Sequence, residues 1–283
     1  MSKVQNTASQ PKPAADKSAK KSPLRFLLPL LLTVFLLIFS FSAYKLYSMY
    51  RGYKSAEKQY NDLSGQFLST PAPTRPPSHS DEPQPEETEP PKELSPITVD
   101  FAELLRQSKD IVGWIYSPDT PINYPVVQAA DNDFYLYNFI DGTYNGNGSI
   151  FMDCMCQKDM SSRNTIIYGH NMHDGSMFAS LHMYRQEGYY KDHPVMYFNT
   201  PNGNYKLLVF SGYVSDPEGS AYWYDISDND DYQRYLNESV SLSDFRADVV
   251  PTVEDKILTL STCTYEYFDA RYVIQAIVVP LDE

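Results

Sequence analysis

A run of 19 residues without a charge, from Phe26 to Tyr44, constrains this chain more than any other feature. It is rich in Leu, Phe and Ile, and as an α-helix it would be about 30 Å long, the thickness of a bilayer's hydrocarbon core. More basic side chains precede this run than closely follow it, and by the positive-inside rule they place the N-terminus in the cytoplasm. The preceding ones are Lys12, Lys17, Lys20, Lys21 and Arg25. The sequence therefore predicts a cytoplasmic tail over 1–25, a single-pass anchor in the cell membrane over 26–44, and an extracellular remainder.

A cleaved signal peptide is the alternative for this apolar run. Such a peptide normally has a shorter apolar region, and a small-residue cleavage site is present only faintly, at Ser40-Phe41-Ser42. Tyr44, Tyr47 and Tyr50 recur every three residues just beyond the run, as an interfacial aromatic belt on a continuing helix would. We therefore favour a retained anchor, followed by a helical juxtamembrane segment over 45–68.

The segment from Ser69 to Pro96 has the composition of a disordered extracellular linker. It holds nine prolines and six acidic residues in 28 positions, with no apolar periodicity. Such a segment cannot bury enough surface to fold, and in polyproline form it would reach up to roughly 85 Å. It is either a spacer that holds a domain away from the membrane or a passive connection.

Residues 97–283 are long enough for one domain with a sizeable core, and they are acidic. They contain 11 Lys and Arg against 27 Asp and Glu, a net charge of −16, which disfavours binding to nucleic acid or anionic lipid. Short helices are expected near 100–108, 177–184 and 229–239. Between and after these helices lie many short β-like runs separated by turn signals, which favour a mainly β fold: a closed or nearly closed mixed β-barrel. The runs are Gly113–Tyr116, Asn123–Val127, Ser149–Met152, Asn164–Tyr168, Val195–Asn199, Asn204–Val214, Lys256–Thr262 and Arg271–Val279.

The chain has three cysteines, an odd number that gives no complete disulfide framework. Cys154 and Cys156 form a C-x-C motif, which could contribute to a metal site. A zinc site needs four ligands, however, and the nearby candidates are only His170 and His173. We therefore expect ordinary thiols at these two positions.

The third cysteine lies in a pattern that indicates thiol chemistry. Cys263 ends the β-rich run Thr259-Leu260-Ser261-Thr262-Cys263, and Arg271 opens the next run eight residues later. His170 follows another such run. A thiolate nucleophile with a histidine to move protons and an arginine to bind a carbonyl oxygen is suited to acyl transfer. The alternative is a buried structural cysteine, a surface histidine and an arginine paired with Asp269 or Glu266. His173, His182 and His193 are expected to be surface or packing residues.

Several motifs in this order resemble the sortases, membrane-bound transpeptidases of Gram-positive surfaces, and in particular their class B branch. The Thr-Leu-Ser-Thr-Cys run with its following arginine is the main one. Three more are Asp110-Ile111-Val112-Gly113-Trp114-Ile115, Asn123-Tyr124-Pro125-Val126-Val127-Gln128 and Tyr168-Gly169-His170-Asn171-Met172. The helix-bearing segment between Val214 and Lys256 also fits. The resemblance covers essentially all of 97–283.

The resemblance implies an eight-stranded β-barrel with the site at the mouth of a groove. It makes Cys263 the nucleophile, His170 the general acid/base and Arg271 the group that stabilises the substrate carbonyl or oxyanion. Ser261 matches a position that lines the peptide groove, and the backbone N–H of Thr264 is a candidate oxyanion donor. No metal or organic cofactor is expected in class B.

The activity implied by the resemblance is cleavage of a sorting motif of secreted proteins at Thr, through a thioester on Cys263. The acyl group would pass to an amine of the peptidoglycan precursor. Three alternatives stay open: a pilin-polymerising enzyme that uses a subunit lysine as acceptor, an extracellular cysteine peptidase that only hydrolyses, and a non-catalytic binding module. Intact Cys263, His170 and Arg271 argue against the last of these.

Overall fold

The computed structural model describes residues 24–70 and 93–281, with side chains from residue 27 onward. Nearly all of the basic tail expected over 1–25 and most of the linker expected over 69–96 lie outside the described residues. The chain divides into two compact units, one up to Tyr50 and one from Arg51 onward.

The first unit contains the beginning of a long helix, α1, which spans Leu24–Phe67. Every described side chain from 27 to 50 is exposed, including Leu28 at 73% and Leu37 at 66%. Among the described residues, α1 is the one helix long and apolar enough to cross a bilayer.

The last turns of α1 belong to the second unit because their apolar side chains pack on it. Ala56, Tyr60 and Phe67 are buried, and the Tyr60 ring meets Tyr124 edge-on with 5.1 Å between ring centroids. The Tyr60 hydroxyl donates to the Gly148 carbonyl at 3.1 Å. The last turns of α1 therefore pack within the compact unit that runs from Arg51 onward.

A short antiparallel ladder follows α1 and joins the two ends of the proline-rich segment. Strand β1 (Leu68–Ser69) pairs with β2 (Thr98–Val99), so that Leu68 lies opposite Val99. Nearby, Ser95 donates to the Asn199 side chain at 3.0 Å. Since Ser69 and Thr98 are paired, the two flanks of the proline-rich segment lie side by side.

The helix expected after the linker is present as α2 (Phe101–Gln107). The Asp100 side chain accepts a hydrogen bond from the backbone N–H of Glu103 at 3.0 Å, which satisfies one of the free donors of the first turn. Leu104 is the buried residue of this helix.

Eight strands form a closed barrel, which confirms the predicted fold class. Two neighbouring pairs, β4 with β5 and β6 with β9, are parallel, and the other pairs are antiparallel, so the barrel is mixed. Around the barrel the order is β10-β8-β7-β3-β4-β5-β6-β9. The strands are β3 (Ile111–Tyr116), β4 (Asn123–Val127), β5 (Ile150–Met152), β6 (Asn164–Tyr168), β7 (Val195–Thr200), β8 (Gly203–Ser215), β9 (Lys256–Cys263) and β10 (Arg271–Leu281).

Short helices lie around the barrel. The segment from Met177 to Tyr184, expected to be a helix, forms a 3₁₀ helix over Ala179–Arg185, followed by α3 (Tyr189–Asp192). The helix expected near 229–239 is α4 (Asn229–Leu242), whose first turn is capped by Asp228. Two further 3₁₀ helices, Phe134–Leu136 and Ser220–Tyr222, flank the cleft described below.

The packing of α1 on the barrel predicts a large stabilising role for Tyr60. We expect Tyr60→Ala to lower the free energy of unfolding by about 3–5 kcal/mol, because it leaves a cavity and an unpaired Gly148 carbonyl. The measurement is urea unfolding of the full chain in detergent, followed by tryptophan fluorescence. The control is Gln59→Ala, since Gln59 is the exposed neighbour on the same helix. Equal stabilities of the two variants would contradict the packing described here.

Candidate active site

The pairing of β9 with β10 places Cys263 and Arg271 side by side. They are direct partners in the antiparallel ladder, Cys263 as the last residue of β9 and Arg271 as the first of β10. Facing residues of an antiparallel pair have Cβ atoms about 4.5–5.5 Å apart. The eight-residue spacing seen in the sequence is therefore the length of one connection between two paired strand ends.

His170 reaches the same end of the barrel from β6. This strand runs parallel to β9, with Tyr168 opposite Ser261, and the ladder continues when the Gly169 N–H donates to the Ser261 carbonyl at 3.0 Å. A Cβ on Gly169 would lie 2.7 Å from the Phe178 ring, so only glycine lets the backbone pass here. His170 follows directly.

The tautomer of His170 is set by its neighbour on the other side. Its Nε2 lies 2.9 Å from the carbonyl oxygen of Leu136. A carbonyl only accepts, so Nε2 carries a proton and donates it. Nδ1 is then the ring nitrogen available to take up or release a proton.

The three residues open onto one cleft of about 270 Å³. Its walls include the ends of β6 and β9, the start of β10, and the two 3₁₀ helices over Phe134–Leu136 and Ser220–Tyr222. The lining residues are Asn132, Asp133, Leu136, Phe151, Tyr168, Gly169, His170, Pro217, Tyr222, Ser261, Thr262, Cys263 and Arg271.

Arg271 is held as a fixed cation at this cleft. Its Nη1 donates to the Asp269 carbonyl at 2.7 Å and to the Ala270 carbonyl at 3.2 Å, and it also pairs with the Asp269 carboxylate. Partial burial alone would lower the pKa of Arg271. The hydrogen bond to Asp269 and the proximity of Cys263 more than offset it, so that the pKa lies above its ordinary value. Arg271 therefore pairs with Asp269 and lines the cleft at the same time.

Ser261 lines the cleft, where its hydroxyl is engaged by Tyr222. The two oxygens lie 2.8 Å apart, and Ser261 is almost fully buried. The Tyr222 ring stacks on Tyr168 with 6.1 Å between centroids, which makes an aromatic wall beside Cys263. Burial raises the pKa of Tyr222 well above its ordinary value, so its hydroxyl stays protonated.

The expected role of the Thr264 N–H is not supported by its position. This N–H donates to the Ala270 carbonyl at 3.0 Å, which extends the β9–β10 ladder one step beyond Cys263. Thr264 is also not among the lining residues. Of the two expected oxyanion donors, only Arg271 faces the cleft.

Two side chains hold the main chain at Cys263. The Asn171 side chain donates to the Cys263 carbonyl at 2.9 Å, and the Nε2 atom of His182 lies 3.2 Å from the same oxygen. His182 stacks on Tyr272 with 5.1 Å between centroids, in keeping with the packing role expected for it. These contacts fix the backbone at Cys263.

The C-x-C motif lies outside the cleft lining. Cys156 is buried, and burial raises the pKa of its thiol to about 12, while burial and the neighbouring Asp153 raise the pKa of Cys154. All three cysteines are free thiols. Within 24–70 and 93–281, no group of three or more His, Cys, Asp and Glu side chains is placed to hold a metal ion.

The sequence did not single out several residues of this cleft. Asn132, Leu136 and Tyr222 come from segments without strong periodicity, and only the fold brings them to the barrel mouth. Tyr168 was visible as part of the Tyr-Gly-His motif, but its place in the cleft wall follows from the parallel β6–β9 pairing.

These environments predict an order of thiol reactivity. A thiolate is the reactive form, so Cys156, buried and with a raised pKa, should resist alkylation at pH 7–8. Cys263, half-buried at the cleft, should react first. The measurement is a time course with iodoacetamide on the native chain, read by peptide mass mapping, with the urea-unfolded chain as control. Labelling of Cys156 as fast as Cys263 in the native chain would contradict this arrangement.

Comparison with known proteins identifies the family. A model described as the sortase domain matches residues 115–279. Sortase B of Staphylococcus aureus is 37% identical over 181 residues, which are 63% of this chain and 74% of that protein.

Solved structures give the same result. The chain is similar to the crystal structure of sortase B from Bacillus anthracis in complex with AAEK1, with a TM-score of 0.65 and 33% identity, covering 82% of this chain and 99% of that one. It is also similar to a Staphylococcus aureus sortase B–substrate complex, with a TM-score of 0.62 and 36% identity, covering 64% of this chain and 85% of that one. The barrel, its mixed topology and these matches together show that the chain belongs to the sortases, a family of cysteine transpeptidases, and to their class B branch.

Proposed function

We propose that this class B sortase cleaves a C-terminal sorting motif of secreted proteins at Thr and transfers the new acyl group to an amine of the peptidoglycan precursor. The observation that carries the proposal is the convergence of Cys263, His170 and Arg271 on one cleft. Family membership supports the reaction class, and the groups in the cleft support the roles.

In the first half-reaction the Cys263 thiolate attacks the carbonyl carbon of the Thr residue. The C–S bond forms, the carbonyl oxygen takes up the negative charge, and the guanidinium of Arg271 stabilises it. Anchoring Nη1 on Asp269 and Ala270 orients the guanidinium, which has five donors in all, toward this oxygen. His170, which holds at Nδ1 the proton released by the Cys263 thiol, gives that proton to the departing amine, and the C–N bond breaks to leave a thioester.

In the second half-reaction the acceptor amine attacks the thioester carbonyl. His170 takes the amine proton at Nδ1, the C–S bond breaks, and Cys263 leaves as a thiolate. Atoms and charges then return to the starting state with a new amide bond formed. The aromatic wall of Tyr168 and Tyr222 keeps water from the thioester, which favours transfer over hydrolysis.

The proposed location of the chain is the cell membrane, with the catalytic domain outside. Helix α1 supplies an apolar span, and the basic residues that precede it favour a cytoplasmic N-terminus. The acidic surface agrees with a peptide and an amine as partners and disfavours nucleic acid.

The proposal is tested with the full chain in detergent and a panel of fluorescence-quenched peptides that carry candidate sorting motifs. Each peptide is incubated alone, with triglycine, with a diamino acid and with a lysine-containing pilin-type peptide. We expect cleavage, and an amide product with one acceptor. His170→Ala and Arg271→Ala should each lower kcat/KM by about 10²–10⁴-fold. Cys263→Ala should abolish cleavage.

His173→Ala is the matched control for His170→Ala, because His173 is an exposed histidine three residues away. Arg271→Lys keeps the charge and loses the planar fork, and should be nearly as inactive as Arg271→Ala. Cleavage without any amide product would indicate a peptidase, and a product with the lysine peptide alone would indicate pilin polymerisation. Cleavage that persists in Cys263→Ala would refute the mechanism.

A further inference from the structure

A buried carboxylate without a cation lies behind the wall of the cleft. Asp153 follows β5 and is 7% exposed. Among the described residues, none of the ion pairs includes it. An ionised carboxylate in such a place needs hydrogen-bond donors to replace water.

The donors to Asp153 come from residues of the cleft wall. Its Oδ2 accepts from the side-chain amide of Asn132 at 2.8 Å and from the Tyr168 hydroxyl at 2.8 Å. Its Oδ1 accepts from the backbone N–H of Met155 at 2.8 Å. Asn132 and Tyr168 line the cleft with Cys263, whereas Asp153 does not.

The amide of Asn132 is held at both of its ends. While Nδ2 donates to Asp153, Oδ1 accepts from the backbone N–H of Cys154 at 2.8 Å. A flip of this amide would face Oδ1 toward a carboxylate and Nδ2 toward an N–H, so each contact would become repulsive. The donor and acceptor sides of Asn132 therefore have fixed directions at the cleft wall.

We propose that Asp153 is a positioning residue for peptide selection: by fixing the Asn132 amide and the Tyr168 ring, it decides which hydrogen-bonding groups the cleft accepts. The inference rests on the proposed function, because it assumes that a peptide occupies this cleft. The substrate feature selected is a polar group that complements the fixed Asn132 amide, beside an apolar segment that packs on Tyr168.

Only a carboxylate satisfies this arrangement. All three groups around Asp153 are donors, and both carboxylate oxygens are acceptors. An asparagine at position 153 would offer one acceptor and one NH₂ group. In one orientation that NH₂ group would face the Met155 N–H, so that two donors would meet. In the other orientation it would face the Asn132 NH₂ group, which would favour the flipped orientation of the Asn132 amide.

The loop that carries Asp153 is itself fixed, and this gives the C-x-C motif a structural role. Gln128 donates to the Asp153 carbonyl at 2.7 Å and to the Cys156 carbonyl at 2.8 Å. The Cys156 sulfur accepts from the Ile166 N–H at 3.4 Å, which ties the loop to β6. Cys154 supplies the N–H that holds Asn132.

The test measures peptide binding in the full chain with Cys263→Ala, so that no thioester forms. The peptide is the best substrate found with the unmodified enzyme, and its Kd is read by fluorescence anisotropy. We expect Asp153→Asn to weaken binding about tenfold or more. The control Asp159→Asn, at an exposed aspartate, should bind as tightly as the parent.

A double-mutant cycle separates positioning from a general loss of structure. Asn132→Ala should weaken binding to a similar extent, and adding Asp153→Asn to it should cost less than it does in the parent, because the Asn132 contact is already lost and only the Tyr168 contact remains to be removed. In the thiol-intact chain, Asp153→Asn should raise KM while the rate at which iodoacetamide alkylates Cys263 stays within twofold of the parent.

Failure of this inference can be distinguished from failure of the proposed function. If the unmodified enzyme cleaves no peptide, the proposed function fails and this inference with it. If it cleaves, but Asp153→Asn binds as the parent does or its effect adds fully to that of Asn132→Ala, the inference alone fails. Should Asp153→Asn not fold, Asn132→Asp tests the same contact from the cleft side, where two facing carboxylates must weaken binding; unchanged binding would overturn the inference.

Discussion

The arrangement of this site depends on the central position of strand β9. It pairs in parallel with β6 on one side and antiparallel with β10 on the other, so its last residue meets the ends of both neighbours. The antiparallel partner brings Arg271 opposite Cys263, and the parallel partner delivers His170 just beyond Tyr168. His170, distant in the sequence from Cys263 and Arg271, thus meets them through the strand pairing of the barrel.

Around this strand, polar contacts fix atoms that would otherwise be free to rotate. The Leu136 carbonyl sets the tautomer of His170, Asn171 holds the Cys263 carbonyl, and the Asp269 main chain orients Arg271. Groups oriented before the substrate arrives need not reorganise during the reaction, which is the physical basis of electrostatic stabilisation in enzymes.

Local patterns in the sequence were sufficient for much of the fold. Two strands, Asn123–Val127 and Asn164–Tyr168, have the predicted bounds, and Asp100 caps α2 as expected. The packing of the last turns of α1 was harder to predict, because Tyr60 and Phe67 lie on a helix whose apolar residues also fit a continuation of the anchor. A proline-rich composition likewise does not reveal that its two flanks pair with each other.

In the candidate site, too, some residues were predictable from local patterns and others only from tertiary contacts. Cys263, His170 and Arg271 were predictable because strand ends carry them and the motifs resemble a known family. Thr264 was assigned as an oxyanion donor from its place after the cysteine, and only the ladder reveals that Ala270 already occupies its N–H. Asn132, Tyr222 and Asp153 make their contacts across long sequence separations, so their positions follow from tertiary structure that no local pattern encodes.

The most direct test of the central claim is intact-mass spectrometry of the acyl-enzyme. The full chain is mixed with a cleavable peptide in the absence of an acceptor, quenched in acid and mapped. We expect a mass increase equal to the N-terminal peptide fragment, located on Cys263, which disappears when an amine is added, while an amide product of that fragment forms. An adduct on Cys154 or Cys156, or peptide cleavage with no adduct on any cysteine under rapid quenching, would contradict it.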